Sequence, residues 1–274
     1  MAEITPSPAA TEAGTLFARF VELIARLRAP GGCPWDREQT HESVKPMTIE
    51  EAYEVAHAID EKDDAELAGE LGDLLLQVVF HANIAEERGA FRLRQVIERV
   101  AEKMVRRHPH VFADDGAATS GEVLRNWEAI KAAERAQKGK EDASMLDSVH
   151  TGLPAVMEAF QLTTKVSRVG FDWPGPGDAL LKLDEEAGEL REAVREKADA
   201  RRVAEEVGDL LFVAVNVARL TGVDPESALK AANRKFRRRF QFIEERLRGE
   251  GKKPADSTLE EMDRLWNEAK SRER

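Results

Sequence analysis

The chain has 274 residues, of which 42% are hydrophobic and 34% charged, so it can bury a core in one or two domains while remaining unusually charged. Its formal net charge of -11 argues against general nucleic-acid binding and is compatible with cations as ligands. A single cysteine, Cys33, and the lack of long apolar runs exclude a disulfide framework, a cysteine-rich zinc module and a membrane span, and they favour a cytoplasmic protein.

Helical periodicity recurs along the chain, whereas no segment alternates apolar and polar residues over the length of a strand. We therefore predict an all-α protein. Residues 1–14 have neither the basic nor the apolar region of a signal peptide, and we expect a disordered tail there. Thr48 and Glu51 have the spacing of a capping box at a helix start. The predicted helices are 15–28, 48–61, 64–88, 93–107, 121–137, 154–168, 178–197, 200–220, 225–248 and 258–270.

The order of these features occurs twice, which predicts a tandem duplication. Residues 138–152 are polar and lack periodicity, so we interpret them as a linker between an N-terminal domain over 15–137 and a C-terminal domain over 153–274. Chance does not explain five matching pairs in the same order. The pairs are Gly32–Trp35 with Gly170–Trp173, Glu50–Glu54 with Glu185–Glu189, Gly69–Leu75 with Glu205–Leu211, Lys103–Arg107 with Lys235–Arg239, and Trp127–Lys131 with Trp266–Lys270.

Each half contains four acidic residues whose spacing places them on facing surfaces of a helical hairpin. Residues three or four apart share one face of a helix, and a turn near residue 62 or 197 would bring two such pairs together. Gathered carboxylates repel unless they are neutralised, and oxygen ligands suit Mg²⁺ or Mn²⁺. The two sets are Glu51, Glu54, Glu70 and Asp73 in the first half, and Glu186, Glu189, Glu206 and Asp209 in the second.

Two other interpretations of these acids are weaker. Exposed glutamates usually only solvate helix surfaces, but here they adjoin an apolar stripe and occur twice. A ferritin-like di-iron centre needs the ExxH spacing on two helices, and only Glu54 and His57 have it. His108 and His110 flank a proline and are better explained as a helix stop than as a zinc site.

A basic and aromatic group in the second half would complement a metal-bound polyphosphate. Lys235 and Arg239 lie four residues apart on one predicted helix, where they could neutralise phosphate oxygens. Trp266 could stack on a base or pack in the core. The sequence has no Walker A loop and no GxGxxG motif, so side chains and metal would hold any nucleotide.

Taken together, these motifs resemble the MazG family of nucleoside triphosphate pyrophosphohydrolases. The resemblance runs from about residue 16 to residue 270 and is carried by CPWDREQT, IEEAYEV, GELGDLLLQVVFHA, RRHPHVF, WEAIK, VGFDW, EEVGDLLF and NRKFRRRF. It implies two all-α pyrophosphatase domains whose four-helix bundles are completed in a homodimer. It also implies Mg²⁺-dependent cleavage of the α–β bond of nucleoside triphosphates to a monophosphate and pyrophosphate, for housekeeping of the nucleotide pool.

The resemblance also implies roles for individual residues. Glu186, Glu189, Glu206 and Asp209 match the metal ligands of the family, and Glu185 or Glu205 would orient water or the ligands. Arg202 departs from the lysine expected at its position, which keeps the charge but changes the donor geometry. The implied nucleotide-contacting residues are Lys182, Arg202, Lys235, Arg239 and Trp266.

The two halves differ around their acids, and we expect the second to carry most of the hydrolysis. In the repeat alignment Met47, Glu66 and Phe80 stand opposite Lys182, Arg202 and Asn216. The first half thus lacks two cations and an amide that could meet a triphosphate, while Lys103 and Arg107 remain. A non-catalytic helical interaction or regulatory module is the main alternative function, and a nucleic-acid binder is the third.

Overall fold

The computed structural model describes residues 5–113, 119, 121–123, 126–127, 130, 133–134 and 144–273. Every regular element among these residues is a helix, which confirms the all-α prediction. The chain divides into two compact units, Met1–Glu141 and Asp142–Arg274, with the division inside the segment interpreted as a linker. Over the described residues, no helix is both long enough and apolar enough to cross a membrane.

In the first unit the structure gives the bounds of six helices, and the described residues between 121 and 134 are helical as well. The rest of the helix predicted over 121–137 lies outside the described residues. The six helices are α1 Pro8–Arg28, α2 Pro34–Glu38, α3 His41–Glu61, α4 Asp64–Glu87, α5 Leu93–Arg107 and α6 Pro109–Phe112.

Helix α1 begins at Pro8 rather than at Thr15, so the expectation of a disordered tail is wrong for residues 8–14. Ser7 caps the helix by accepting a hydrogen bond from the backbone N–H of Ala10 at 3.2 Å. Proline at the first helical position needs no N–H donor and has a helical φ in advance. These two local features start the helix before its apolar stripe begins.

Helix α3 begins at His41, so Thr48 is an interior residue and not the predicted N-cap. The cap is Thr40, whose hydroxyl accepts from the N–H of Ser43 at 3.3 Å while Ser43 Oγ accepts from the N–H of Thr40 at 2.9 Å. The helix continues through Pro46 even though an interior proline costs about 3 kcal/mol. Two residues earlier, the buried side chain of Val44 packs in the core of the first unit.

A tight turn folds α3 and α4 into the predicted antiparallel hairpin. Lys62 has a φ of 58°, in the left-handed region, and ends α3. Asp63 then caps α4, accepting from the N–H groups of Ala65 and Glu66 at 3.0 Å each. The turn thereby fixes which residues of the two helices face each other.

The second unit repeats this hairpin with different flanking elements. Lys197 has a φ of 53°, and Asp199 accepts from the N–H of Arg202 at 2.9 Å to cap the second helix of the hairpin. The helices are α7 Ala155–Ser167, α8 Pro176–Arg195, α9 Ala200–Leu220, α10 Pro225–Gly249 and α11 Leu259–Arg272, and two 3₁₀ helices cover Met145–Ser148 and Pro254–Asp256.

Each unit has its own apolar cluster. In the first unit Ile24, Val44, Val79, Phe80 and Ile84 join α1 to the α3/α4 hairpin. In the second unit Ile243 and Leu247 of α10 pack against Leu265 of α11, with the half-buried Trp266 against this cluster. These clusters hold the acid-bearing hairpin of the first unit and the basic helix of the second in place.

Candidate active site

Three acids of each predicted set come together between the two helices of a hairpin. In the first unit they are Glu51, Glu70 and Asp73, and in the second Glu186, Glu206 and Asp209. Each contributes one carboxylate oxygen, and the three oxygens of a set lie within 4.8 Å of one another. We call these groups the first and second acid triads. Glu186 is only 5% exposed, so the second triad reaches into the interior.

The fourth acid of each set, Glu54 or Glu189, is exposed and lies outside this spacing, yet it acts electrostatically on the triad. Desolvation and the charge of Glu186 raise the pKa of Glu189, although Lys182 opposes the shift. In the first unit, desolvation and then the charges of Asp73 and Glu54 raise the pKa of Glu51. The pKa of an acid is thus raised beside both triads, even where Lys182 partly offsets the negative charge in the second unit, and this favours a bound cation.

Two basic side chains contact the second triad. Lys182 Nζ lies 2.8 Å from Glu186 Oε1 and donates to Glu185 Oε1 at 2.7 Å, and these two hydrogen bonds raise the pKa of Lys182. Arg202 Nε lies 3.8 Å from Glu206 Oε1 on the facing helix. The second triad thus carries two cations at its edge.

The first triad has no such cations at the matching positions, as the repeat alignment predicts. Met47 replaces the lysine and Glu66 replaces the arginine. Desolvation, the charge of Glu54 and the charge of Glu66 raise the pKa of Glu70. Arg202, which partly neutralises the second triad, is therefore replaced in the first unit by Glu66, which adds to the negative charge of the first triad.

Glu185 and Glu205, the two predicted orienting residues, have different surroundings. Glu185 accepts from Lys182 next to the second triad. Glu205 accepts from Arg201 Nε at 3.2 Å, with both side chains largely exposed. Only Glu185 is thus linked through a side chain to an acid of the triad.

Arg239 and Trp266 lie together on α10 and α11. The guanidinium carbon of Arg239 is 5.3 Å from the centre of the Trp266 ring, and the Phe236 ring lies 5.2 Å from the same tryptophan. Trp266 is half-buried and packs against the core cluster of the second unit, as the core-packing interpretation predicts, whereas its stacking on a base stays a prediction. Lys235 is exposed one turn before Arg239.

An ion pair that the sequence interpretation missed engages Arg239. Its Nε and Nη2 donate to Glu273 Oε2 at 3.0 and 2.5 Å. In the first unit Arg107 makes the matching pair with Glu134, at 3.3 and 2.7 Å. Both glutamates stand seven residues after the repeated tryptophan, so extending the repeat past its fifth motif would have found them.

The structure corrects the role expected for Asn216. Its side chain is fully buried, with Nδ2 donating to the carbonyl of Phe212 at 3.2 Å and Oδ1 accepting from Arg219 at 3.1 Å. Arg219 also donates to Asp172 at 3.0 and 2.5 Å. Asn216 therefore helps to fix the loop that carries Asp172 and does not line the surface of the acid triad.

Among the residues that the structure describes, the histidines lie outside the two acid triads. His57 is exposed on α3, away from the first triad grouping, and His108 separates α5 from α6 as the helix-stop interpretation predicts. His41 and His81 form a contact that was not predicted, with their Nδ1 atoms 2.8 Å apart. Thr48 Oγ1 lies 3.0 Å from His81 Nε2, which links α3 to α4 beyond the acids.

Comparison with known proteins gives a consistent result. The MazG nucleotide pyrophosphohydrolase domain matches residues 39–112 and 176–241, which contain the two hairpins. A Thermotoga maritima protein named nucleoside triphosphate pyrophosphohydrolase/pyrophosphatase MazG is 48% identical over 259 residues, covering 94% of this chain and 97% of that protein.

Two further relatives show the same extent of similarity. An Escherichia coli protein named nucleoside triphosphate pyrophosphohydrolase is 45% identical over 257 residues, covering 93% of this chain and 97% of the relative. The uncharacterized protein YabN of Bacillus subtilis is 49% identical over 258 residues, which are 94% of this chain and 52% of YabN.

Proposed function

The chain belongs to the MazG family of nucleotide pyrophosphohydrolases, and on that premise we propose that it hydrolyses nucleoside triphosphates at the α–β phosphoanhydride. A water adds to one phosphorus of the α–β bridge and the bridging oxygen leaves with the other, giving a nucleoside monophosphate and pyrophosphate. The observation that carries the proposal is the second acid triad with Lys182 and Arg202 at its edge.

The donor set of the second triad fits a magnesium ion. Three carboxylate oxygens within 4.8 Å of one another, with Glu189 beside them, are the all-oxygen ligands that a hard cation prefers. We propose Glu186, Glu189, Glu206 and Asp209 as the ligands of Mg²⁺, with Mn²⁺ as a substitute. When bound, the ion would neutralise phosphate charge and lower the pKa of a coordinated water.

The basic residues bind and orient the triphosphate in this proposal. Lys182, whose ammonium lies 2.8 Å from Glu186 Oε1, would share that carboxylate with the metal and donate to a phosphate oxygen. Arg202 lies on the facing helix and would contact the phosphates from the other side. Lys235 and Arg239 would neutralise the remaining charge, while the half-buried Trp266 beside Arg239 would stack on the base.

Glu185 is the better candidate of the two for orienting the attacking water. It shares Lys182 with Glu186 and so lies next to the second triad, whereas Glu205 is turned toward Arg201. A carboxylate at this position would accept a hydrogen bond from the attacking water. This would direct a lone pair of the water oxygen toward the phosphorus. Its charge also keeps Lys182 protonated.

We propose that the chain acts as a homodimer and that its second unit is the main catalytic one. Several large apolar side chains beside the triads are exposed, among them Leu71 and Leu75 on α4 and Val207 and Leu211 on α9. A second copy that completes a four-helix bundle would bury them. For the first unit, Met47 and Glu66 at the positions of the two cations favour the alternative of a non-catalytic module that binds metal.

Pyrophosphate release from a panel of ribonucleoside and deoxyribonucleoside triphosphates, with and without Mg²⁺, tests the proposed function. We expect stoichiometric monophosphate and pyrophosphate only when the metal is present. Release of inorganic phosphate with a nucleoside diphosphate would place the cleavage at the wrong bond. No turnover of any triphosphate would favour the interaction module.

A further inference from the structure

Glu273 lies within the basic cluster of α10 although it is the residue that caps α11. Its Oε2 accepts two hydrogen bonds from Arg239, and its Oε1 lies 3.9 Å from Arg238 Nη2. These arginines, Arg239 foremost, lower the pKa of Glu273. A carboxylate near a helix C-terminus is disfavoured by the helix dipole, so the basic cluster accounts for its position.

The first unit repeats this contact with the matching residues. Glu134 Oε1 accepts from Arg106 Nε at 2.8 Å, and its two oxygens also hold Arg107. Arg107 and Arg239 each follow a lysine by four residues, and each glutamate follows a tryptophan by seven. The contact is therefore kept in both copies of the duplicated unit, even where the residues beside the acid triads have changed.

Among the described residues, Glu273 and Trp266 engage only part of the guanidinium of Arg239, which leaves the rest for another anion. A guanidinium has two edges that can each bind an anion through a pair of N–H groups. Glu273 takes the edge formed by Nε and Nη2, and Trp266 covers one face of the group. The remaining edge, with Nη1 and the second N–H of Nη2, stays fixed in direction because the side chain, only 13% exposed, is held on two sides.

We propose that Glu273 is a positioning residue for nucleotide binding, which fixes the guanidinium of Arg239 so that its free edge meets a phosphate of the substrate. The inference rests on the proposed function, in which Arg239 contacts the triphosphate. Arginine loses considerable side-chain freedom when it binds an anion. The carboxylate removes part of that freedom before the nucleotide arrives, so it strengthens binding without taking part in the chemical step.

The test compares Glu273→Ala with Glu134→Ala, its repeat-matched control, using ATP and Mg²⁺. We expect Glu273→Ala to raise KM about three- to tenfold, which is the effect of ordering one long side chain on binding, and to leave kcat nearly unchanged. Glu134→Ala should leave KM unchanged. Glu273→Gln should restore most of the binding, because its amide oxygen accepts the same two hydrogen bonds.

Calorimetric binding of the α,β-methylene analogue of ATP with Mg²⁺ gives a second readout that needs no turnover. The ratio of dissociation constants should match the ratio of KM values. An unchanged or lower KM in Glu273→Ala would overturn the proposal, as would Glu273→Gln binding as weakly as Glu273→Ala. Failure of the wild type to release pyrophosphate would reject the proposed function, while the binding ratio would still decide the role of Glu273.

Discussion

Arg202 and Glu206 stand four residues apart on α9, with Arg202 Nε 3.8 Å from Glu206 Oε1 in the second acid triad. The adjacent Arg201 pairs instead with Glu205, away from the triad. The two arginines thus have the same charge and neighbouring positions, but only one faces the acids. A comparison of Arg202 with Arg201 therefore distinguishes a local role at the site from a general effect of positive charge.

We expect Arg202→Met to lower kcat/KM for ATP by at least about tenfold, because it removes a donor at the place where phosphate charge develops. Arg201→Met is the matched control and should change kcat/KM little. Steady-state assays of pyrophosphate release at saturating Mg²⁺ measure both. Equal losses in the two variants would show that only overall charge matters.

Replacement of one repeat-matched acid in each unit tests which unit is catalytic. Glu189→Gln should abolish most turnover, since it removes a proposed metal ligand beside the cations of the second triad. Glu54→Gln should retain most turnover, because the first triad lacks those cations. Both side chains are exposed, so circular dichroism should show unchanged helicity. The reverse pattern of activities would assign catalysis to the first unit.

The proposed self-association can be tested at the exposed apolar side chains beside the triads. Leu211 is 61% exposed on α9, and its burial in a partner would contribute about 1.5–3 kcal/mol. Light scattering at micromolar concentration should give twice the mass of one chain, and Leu211→Glu should shift the population toward single chains. A wild type with the mass of one chain would contradict the dimer.

The stability of the first unit should fall in mild acid. Burial and the neighbouring His41 lower the pKa of His81 from its usual 6.5, so the fold prefers the neutral imidazole. The stabilising contribution is present above the ordinary pKa of histidine and is lost as the pH falls through the lowered value.

Melting temperatures between about pH 7.5 and about pH 5.5 check this dependence. His81→Gln should flatten the dependence, whereas His57→Gln, at an exposed position, should leave it as in the wild type. Parallel curves for the wild type and His81→Gln would show that another group titrates.

Sequence patterns predicted the elements best where a local signal marks their ends. The bounds of α5 and α9 agree residue for residue, because a proline follows Arg107 by two positions and Asp199 caps the helix that begins at Ala200. Helical periodicity also predicted that acids of the two hairpin helices come together, since this depends only on spacing along a hairpin, and three of the four acids in each predicted set do so.

Contacts between distant side chains could not be predicted in this way. Asn216 is buried because Arg219 and Asp172 come together across 47 residues, and periodicity holds no information on such a pairing. The sequence predicts the start of α3 too late. The true N-cap, Thr40, forms its capping box with Ser43, and serine at the third helical position is a weaker signal than the glutamate three residues after Thr48.

The turns at Lys62 and Lys197 accommodate a difference in the length of the connection without preventing the acids from coming together. Glu51 and Asp73 are 22 residues apart and Glu186 and Asp209 are 23 apart, yet both triads assemble. Both lysines are exposed and take up the change of direction at a positive φ. The hairpin tips are therefore the natural places to insert a reporter peptide, or to open the chain for circular permutation, without disturbing the acids.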